Sequence, residues 1–224
     1  MFNQEQKNPG QSVRMDKISV EQTLGLRHSV LWPDMPLSQV CLPEDSAGIH
    51  FGALLPHSDE PIAVISLFVE ALPIDKNTTS DLPLLKQQNQ QHQQNYGYTE
   101  DETTETKRAL AVVRFRKFAC APRYQGKGIG THLLAYALSI ARSELDAGMA
   151  WCDARTTSTE WYEKRSLQTF GETFFKGPVE YVRMWIDLRD SPGSEHPTKE
   201  RAFVPVTAEA DSRNLSSRLP PVSK

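Results

Sequence analysis

Gly126, Gly128 and Gly130 stand at alternate positions in the stretch FACAPRYQGKGIGTHLLAYAL, between a short apolar run and a strongly periodic one. Glycine lets a bulky anion approach the backbone closely. A helix opening at such a junction aims unpaired N–H groups and the positive end of its dipole at that anion. The chemistry offered is therefore phosphate binding, and spacing excludes two familiar loops. A Walker loop needs GxxxxGK followed by Ser or Thr, whereas Lys127 is followed by Gly128. A dinucleotide fingerprint needs GxGxxG, but Thr131 or Leu133 falls at its third glycine. A tight strand-to-helix turn without a ligand is the alternative reading of the glycines alone.

Other reactive side chains narrow the chemistry. Cys120 invites a covalent acyl-enzyme, but no His or carboxylate is placed beside it by sequence, so it reads as a small packing residue. Cys41, Cys120 and Cys152 are odd in number and form no CxxC pair, which points to neither a disulfide framework nor a zinc site. A reducing, cytoplasmic setting follows. The histidines show no ligand spacing, and no metal is expected. A formal charge of -3 and a pI near 6.1 supply no basic field, arguing against nucleic acid as a partner. No apolar run reaches about 18 residues, and the N-terminal stretch has no apolar signal core, so no membrane association is expected. A homodimer is compatible with this reading.

The elements that must position these residues fit one core, since 224 residues are too few for two full domains. Residues 1–16 read as a flexible N-terminus and 191–224 as a flexible tail. Between them, 17–190 form one domain interrupted at 73–107 by a Gln-rich, disordered insertion. VEQTLGLRHSVLW predicts a helix, and GIHFGALLP with PIAVISLFVEAL an antiparallel hairpin. RALAVVRFRKFACAP predicts a long strand alternating Phe115, Lys117 and Ala119 against Arg116, Phe118 and Cys120. Leu133, Leu134, Ala137, Leu138, Ala141 and Leu145 fall at helical spacing after the glycines. MAWCDART reads as a strand, TSTEWYEKRSLQTF as a helix, and ETFFKGPVEYVRMWIDL as a final hairpin. The class is α/β, a mixed central sheet of about six to seven strands flanked by helices.

FACAPRYQGKGIGTHLL resembles the acetyl-CoA-binding motif of the GNAT N-acetyltransferase superfamily: Gln or Arg, two residues, Gly, one residue, then Gly or Ala, matched by Gln125, Gly128 and Gly130. LRHSVLWPDMP and WCDARTTSTEWYEK resemble small bacterial and fungal acetyltransferases in particular. The resemblance covers roughly 17–72 and 108–188 and implies the GNAT fold, with acetyl-CoA as co-substrate. It implies that the N–H groups of Gln125, Gly126, Lys127, Gly128, Ile129, Gly130 and Thr131 cradle the pyrophosphate. The edge of Phe118, Ala119 and Cys120 pairs with the pantetheine amides, and an N–H near Ala119 or Cys120 polarises the thioester carbonyl. Tyr162 is the implied general acid toward the CoA sulfur.

Asp153 and Glu180 are candidates to hold and deprotonate the amine, with Arg27, Trp32 and Asp34 as further acceptor-site candidates. The expected activity is direct acetyl transfer to a small polar primary amine, with amino sugars such as glucosamine as a lead. Protein lysine or N-terminal acetylation, and a CoA-binding regulatory module, are the alternatives. Arg165-Ser166-Leu167 departs from the Leu-Gly-Phe of many members, implying a rearranged helix end, and Arg155 stands where an Asn often contacts the cofactor.

Overall fold

The computed structural model describes residues 12–73 and 110–189, together with the strand 203–205. The Gln-rich insertion, the first eleven residues and most of the expected tail lie outside the described residues. Strand β1 (Ser12–Ile18) leads into helix α1 (Val20–Leu31), and short 3-10 turns lead to β2 (Ile49–Leu54) and β3 (Pro61–Val69). After the insertion come β4 (Ala111–Cys120), α2 (Ile129–Glu144), β5 (Ala147–Arg155), α3 (Thr159–Glu163), β6 (Gln168–Lys176), β7 (Val179–Asp187) and β8 (Phe203–Pro205). They form one sheet in the order β6-β7-β5-β4-β3-β2-β1-β8, with β4 and β5 parallel and the other pairs antiparallel.

Two expectations about the ends are corrected. Residues 12–16, read as flexible, belong to β1, where Val13 and Met15 alternate with polar neighbours and are buried against the sheet. Within the expected tail, Phe203–Pro205 adds a short eighth strand to the free edge of β1. The helix predicted around Trp161 is also shorter than its pattern suggests. Ser166 takes a φ of 64° and the Leu167 N–H returns to the Tyr162 carbonyl at 3.2 Å, closing the helix so that β6 begins at Gln168.

The two faces of the sheet are covered differently. Helix α2 lays Leu133, Leu134, Ala137 and Ala141 on the face that carries Phe51, Ile65, Leu67 and Phe115. The Phe51 and Tyr136 rings meet edge to face at 5.7 Å there. Helix α1, capped by the reciprocal Ser19 and Gln22 bonds, covers the other face, but its fully buried positions are Thr23 and Arg27 rather than an apolar stripe. No helix among the described residues is long and apolar enough to cross a membrane.

Candidate active site

Strands β4 and β5 pair from Ala111 and Ala147 to Arg114 and Trp151, and then part. Beyond that point β4 continues to Cys120 paired with β3 alone, while β5 continues to Arg155 paired with β7 alone. A wedge therefore opens inside the sheet, lined on each side by a strand edge with free backbone groups. The β4 edge is aimed by a bulge: Ser66 faces Arg116 and Val64 faces Ala119, so β4 carries one extra residue there. Lys117, inside the bulge, has a φ of 55°.

The bulge shifts the phase of everything after it. Phe115 lies opposite Leu67 and Cys120 opposite Ala63, which places these β4 residues on one face. The alternation of Phe115, Lys117 and Ala119 against Arg116, Phe118 and Cys120, expected from sequence, is thus broken at Lys117. The Ala121 N–H donates to the Ile62 carbonyl at 2.9 Å, so by ladder parity the Ala119 N–H also faces β3, whereas the Cys120 N–H faces the wedge. Of the two N–H groups anticipated there, the open one belongs to Cys120. The thiol of Cys120 is pushed up by burial and is no activated nucleophile.

The glycine junction sits at the end of β4. A 3-10 turn at Pro122–Tyr124 uses the Gln125 N–H on the Pro122 carbonyl at 3.2 Å, and the Gln125 side-chain amide braces the Cys120 carbonyl at 2.9 Å. Gln125 therefore fixes the loop rather than offering its own N–H. Gly126 and Gly128 have φ values of 73° and 77°, the left-handed region glycine enters without strain. No side chain caps α2, whose first intrahelical bond runs from the His132 N–H to the Gly128 carbonyl, leaving the N–H groups of Ile129, Gly130 and Thr131 at the helix start. Gly130 rests on Phe118 and Trp161, whose rings pack at 5.7 Å. Lys127 is exposed beside Tyr124.

Sequence reasoning noted Arg165 merely as a departure, yet it reaches this junction. Its Nε and Nη2 donate to the Thr131 hydroxyl at 3.0 and 2.5 Å, and its guanidinium lies 3.6 Å over the Trp161 ring. A cation is thus anchored beside the positive end of α2.

Tyr162 bridges the wedge. Its ring packs 5.9 Å from Phe115 of β4 and 4.9 Å from Trp161, while its hydroxyl is pushed well above the usual tyrosine range by burial, then by the neighbouring Cys152 of β5. The hydroxyl therefore holds its proton at neutral pH.

The face across the sheet from α2 is unexpectedly charged. Arg27 is completely buried: Nη1 donates to Asp45 at 2.8 Å and Nη2 to the Ser66 hydroxyl at 2.7 Å, beside His50. This corrects the expectation that Arg27 meets an acceptor. Lys117 Nζ donates to Asp45 at 2.7 Å, and the Leu42 N–H adds a third donor at 2.9 Å. The network thus grips the bulge from both strands, through Ser66 of β3 and Lys117 of β4. His50 Nε2 meets the Asp45 carbonyl at 3.0 Å, and burial foremost keeps the imidazole below its ordinary range and neutral.

Asp153 is also corrected as a free carboxylate: Arg114 and Lys176 both bond its Oδ2, the latter at 2.6 Å, so it braces β5. Glu180 is half-buried on β7 beside the final turn. Trp32 ends α1, its N–H bonded to Arg27 and His28 carbonyls, and Asp34 is exposed in the turn that follows. Arg155, at the end of β5, is exposed. Among the described residues no group of three or more His, Cys, Asp or Glu is gathered as for a metal.

These features match known proteins. The model of the Acetyltransferase (GNAT) family matches residues 27–166. FeeM, an N-acyl amino acid synthase from uncultured soil microbes, superimposes with a TM-score of 0.53 at 9% identity, covering 80% of this chain and 92% of that one. A Lactobacillus plantarum protein described as an N-acetyltransferase superimposes with a TM-score of 0.51 at 16% identity, covering 78% and 99%. At such identities the likeness is one of fold. No curated protein matches the sequence. With a parted β4/β5 pair, a glycine-opened helix beside it and a family match over more than half its length, the chain belongs to the acetyltransferase (GNAT) family.

Proposed function

We propose that the protein transfers acetyl from acetyl-CoA directly to the primary amine of a small polar acceptor. One observation carries this reading: the wedge between β4 and β5 has an uncapped helix start at its mouth and the Tyr162 hydroxyl across its floor. The residues fit the co-substrate. The N–H groups of Ile129, Gly130 and Thr131, with Arg165 beside them, suit a pyrophosphate; the helix end contributes about 0.3–2 kcal/mol per charge. An extended chain bearing amides adds to the free β4 edge as a further strand.

Acetyl-CoA supplies an activated acyl carbon. In this reading the Cys120 N–H donates to the carbonyl oxygen as negative charge develops there, a role worth about 3–4 kcal/mol in other enzymes. Tyr162 provides the proton for the departing sulfur. Asp153 being held by two cations, Glu180 is the remaining candidate among those two carboxylates to receive the amine's proton, directly or through water.

The test is thiol release from acetyl-CoA over amino sugars, amino acids, polyamines and lysine peptides, with glucosamine as the first acceptor. Turnover on small amines is expected. Turnover confined to peptides would replace this reading with protein acetylation, and acetyl-CoA binding without turnover on any amine would favour a regulatory module.

A further inference from the structure

Ion pairs run unbroken across the face opposite α2. They link Arg27 to Asp45, then Lys117, Glu44, Arg116, Glu70, Arg114, Asp153 and finally Lys176. Five cations alternate with four carboxylates, so both ends are positive. The inner end, Arg27, is sealed in the core, while the Lys176 side chain is 48% exposed. Arg183 stands beside that outer end, opposite Asp153 in the β5–β7 register. Its guanidinium lies 4.8 Å over Phe174, the ring that also carries Lys176 Nζ at 5.5 Å, and among the described residues it joins no ion pair. Glu172 and Glu180, the other carboxylates of the β6–β7 hairpin before Asp187, join none either. A chain with an overall charge of -3 thus keeps a local surplus of positive charge on this face.

The location matters. Asp153 lies two residues beyond Trp151, where the β4–β5 pairing ends, so Arg183 opposite it is level with the opening of the wedge, on the face across the sheet from α2 and Tyr162. Strands lie about 4.8 Å apart, which puts Arg183 one such spacing from the β5 edge of the wedge, within the combined reach of its side chain and a small molecule. Phe174 and Tyr181 stack at 6.0 Å beneath these cations and provide an apolar floor, on which a charge-assisted bond strengthens.

We propose that the acceptor carries an anionic group as well as its primary amine, and that Arg183 with Lys176 holds this group over Phe174 and Tyr181. The inference rests on the acetyl-transfer reading of the wedge and names the acceptor class for it. The planar guanidinium fork suits a carboxylate or a phosphate equally. Polyamines and lysine-rich peptides meet like charge instead.

The experiment uses the full chain saturated with CoA, so that binding is read without turnover, and two matched pairs: glucosamine 6-phosphate against glucosamine, and phenylalanine against phenylalaninamide. Calorimetry is expected to show the anionic member of at least one pair binding about 10- to 100-fold tighter. Arg183→Gln should abolish the difference, Arg183→Lys should keep part of it, and Lys176→Gln should reduce it, with unfolding curves confirming that each variant folds. The pair that responds identifies phosphate or carboxylate. Equal binding within both pairs, no binding of either anionic member, or a preference that survives Arg183→Gln overturns the proposal. Thiol release with the same pairs separates the two readings. Turnover without charge preference leaves acetyl transfer standing, and charge-selective binding without turnover leaves the anion site standing.

Discussion

Tyr162→Phe is expected to lower turnover by about 10²- to 10⁴-fold while leaving acetyl-CoA affinity within a few-fold of wild type. The change removes one hydroxyl and keeps the ring that packs on Phe115 and Trp161, so the floor of the wedge should persist. Without that hydroxyl the sulfur departs as an unassisted thiolate. Burial and Cys152 raise the hydroxyl's pKa, so it stays protonated as pH rises past the ordinary tyrosine value of about 10. Any alkaline loss of wild-type activity that begins near or below that value therefore belongs to another group. Initial rates at saturating acetyl-CoA, with calorimetric binding, check the prediction. Wild-type turnover in the Phe variant would remove Tyr162 from the chemistry and return it to packing.

Asp45→Ala is expected to destabilise the fold by about 3–5 kcal/mol, because it strands Arg27 and Lys117 as uncompensated charges in the core. For a domain of this size the melting temperature should fall by roughly 6–20 °C. Burial alone would raise the Asp45 pKa, but the Lys117 hydrogen bond, the Leu42 N–H and the Arg27 and Lys117 charges bring it below its ordinary value. A carboxylate depressed in the folded state contributes stability above its unfolded pKa of about 3.9, and that contribution is lost as pH falls through the folded value. The deficit of Asp45→Ala should therefore be full at neutral pH and shrink only under strong acid. His50, also depressed, adds a separate loss as pH falls below about 6.5.

The triple replacement Arg27→Met, Asp45→Leu, Lys117→Met should recover most of the stability, since apolar residues of similar volume replace buried ion networks at little cost. It should not recover turnover, because the Lys117–Asp45 contact that ties the left-handed residue 117 to the core is then gone. Chemical denaturation and initial rates on the same samples separate the two effects. A fully active triple variant would show that the bulge needs no such grip.

Much of this was legible in the sequence. The glycines, the helical spacing after Gly130 and the β-branched run of β3 each agree with one local structure, and α2 and β3 form there; Tyr162 was singled out only through the family resemblance, and the parting of β4 from β5 is set by long-range pairing that no local pattern records. Strand β1 was missed: Val13 and Met15 alternate with their neighbours, but two apolar residues in a polar stretch do not stand out as a strand. Arg27 and Asp45 were not legible. A pattern of apolar residues treats a charge as surface, and nothing local shows that residues 18 positions apart will neutralise each other in the core. The bulge at Lys117 was hidden for a related reason: RFRK reads as clean alternation until the β3 register reveals the extra residue. Arg165 and Arg183 acquire meaning from their neighbours in space, Thr131 and Phe174, across long stretches of chain or between paired strands.

Direct transfer is the central claim, and two-substrate initial rates combined with the intact mass of the protein after exposure to acetyl-CoA alone test it most directly. The account predicts intersecting rate lines, an unmodified protein and an active Cys120→Ala variant, because the thiol is raised rather than activated by its surroundings. Parallel lines with an acetyl group retained on Cys120 would contradict it and place a covalent intermediate in the wedge.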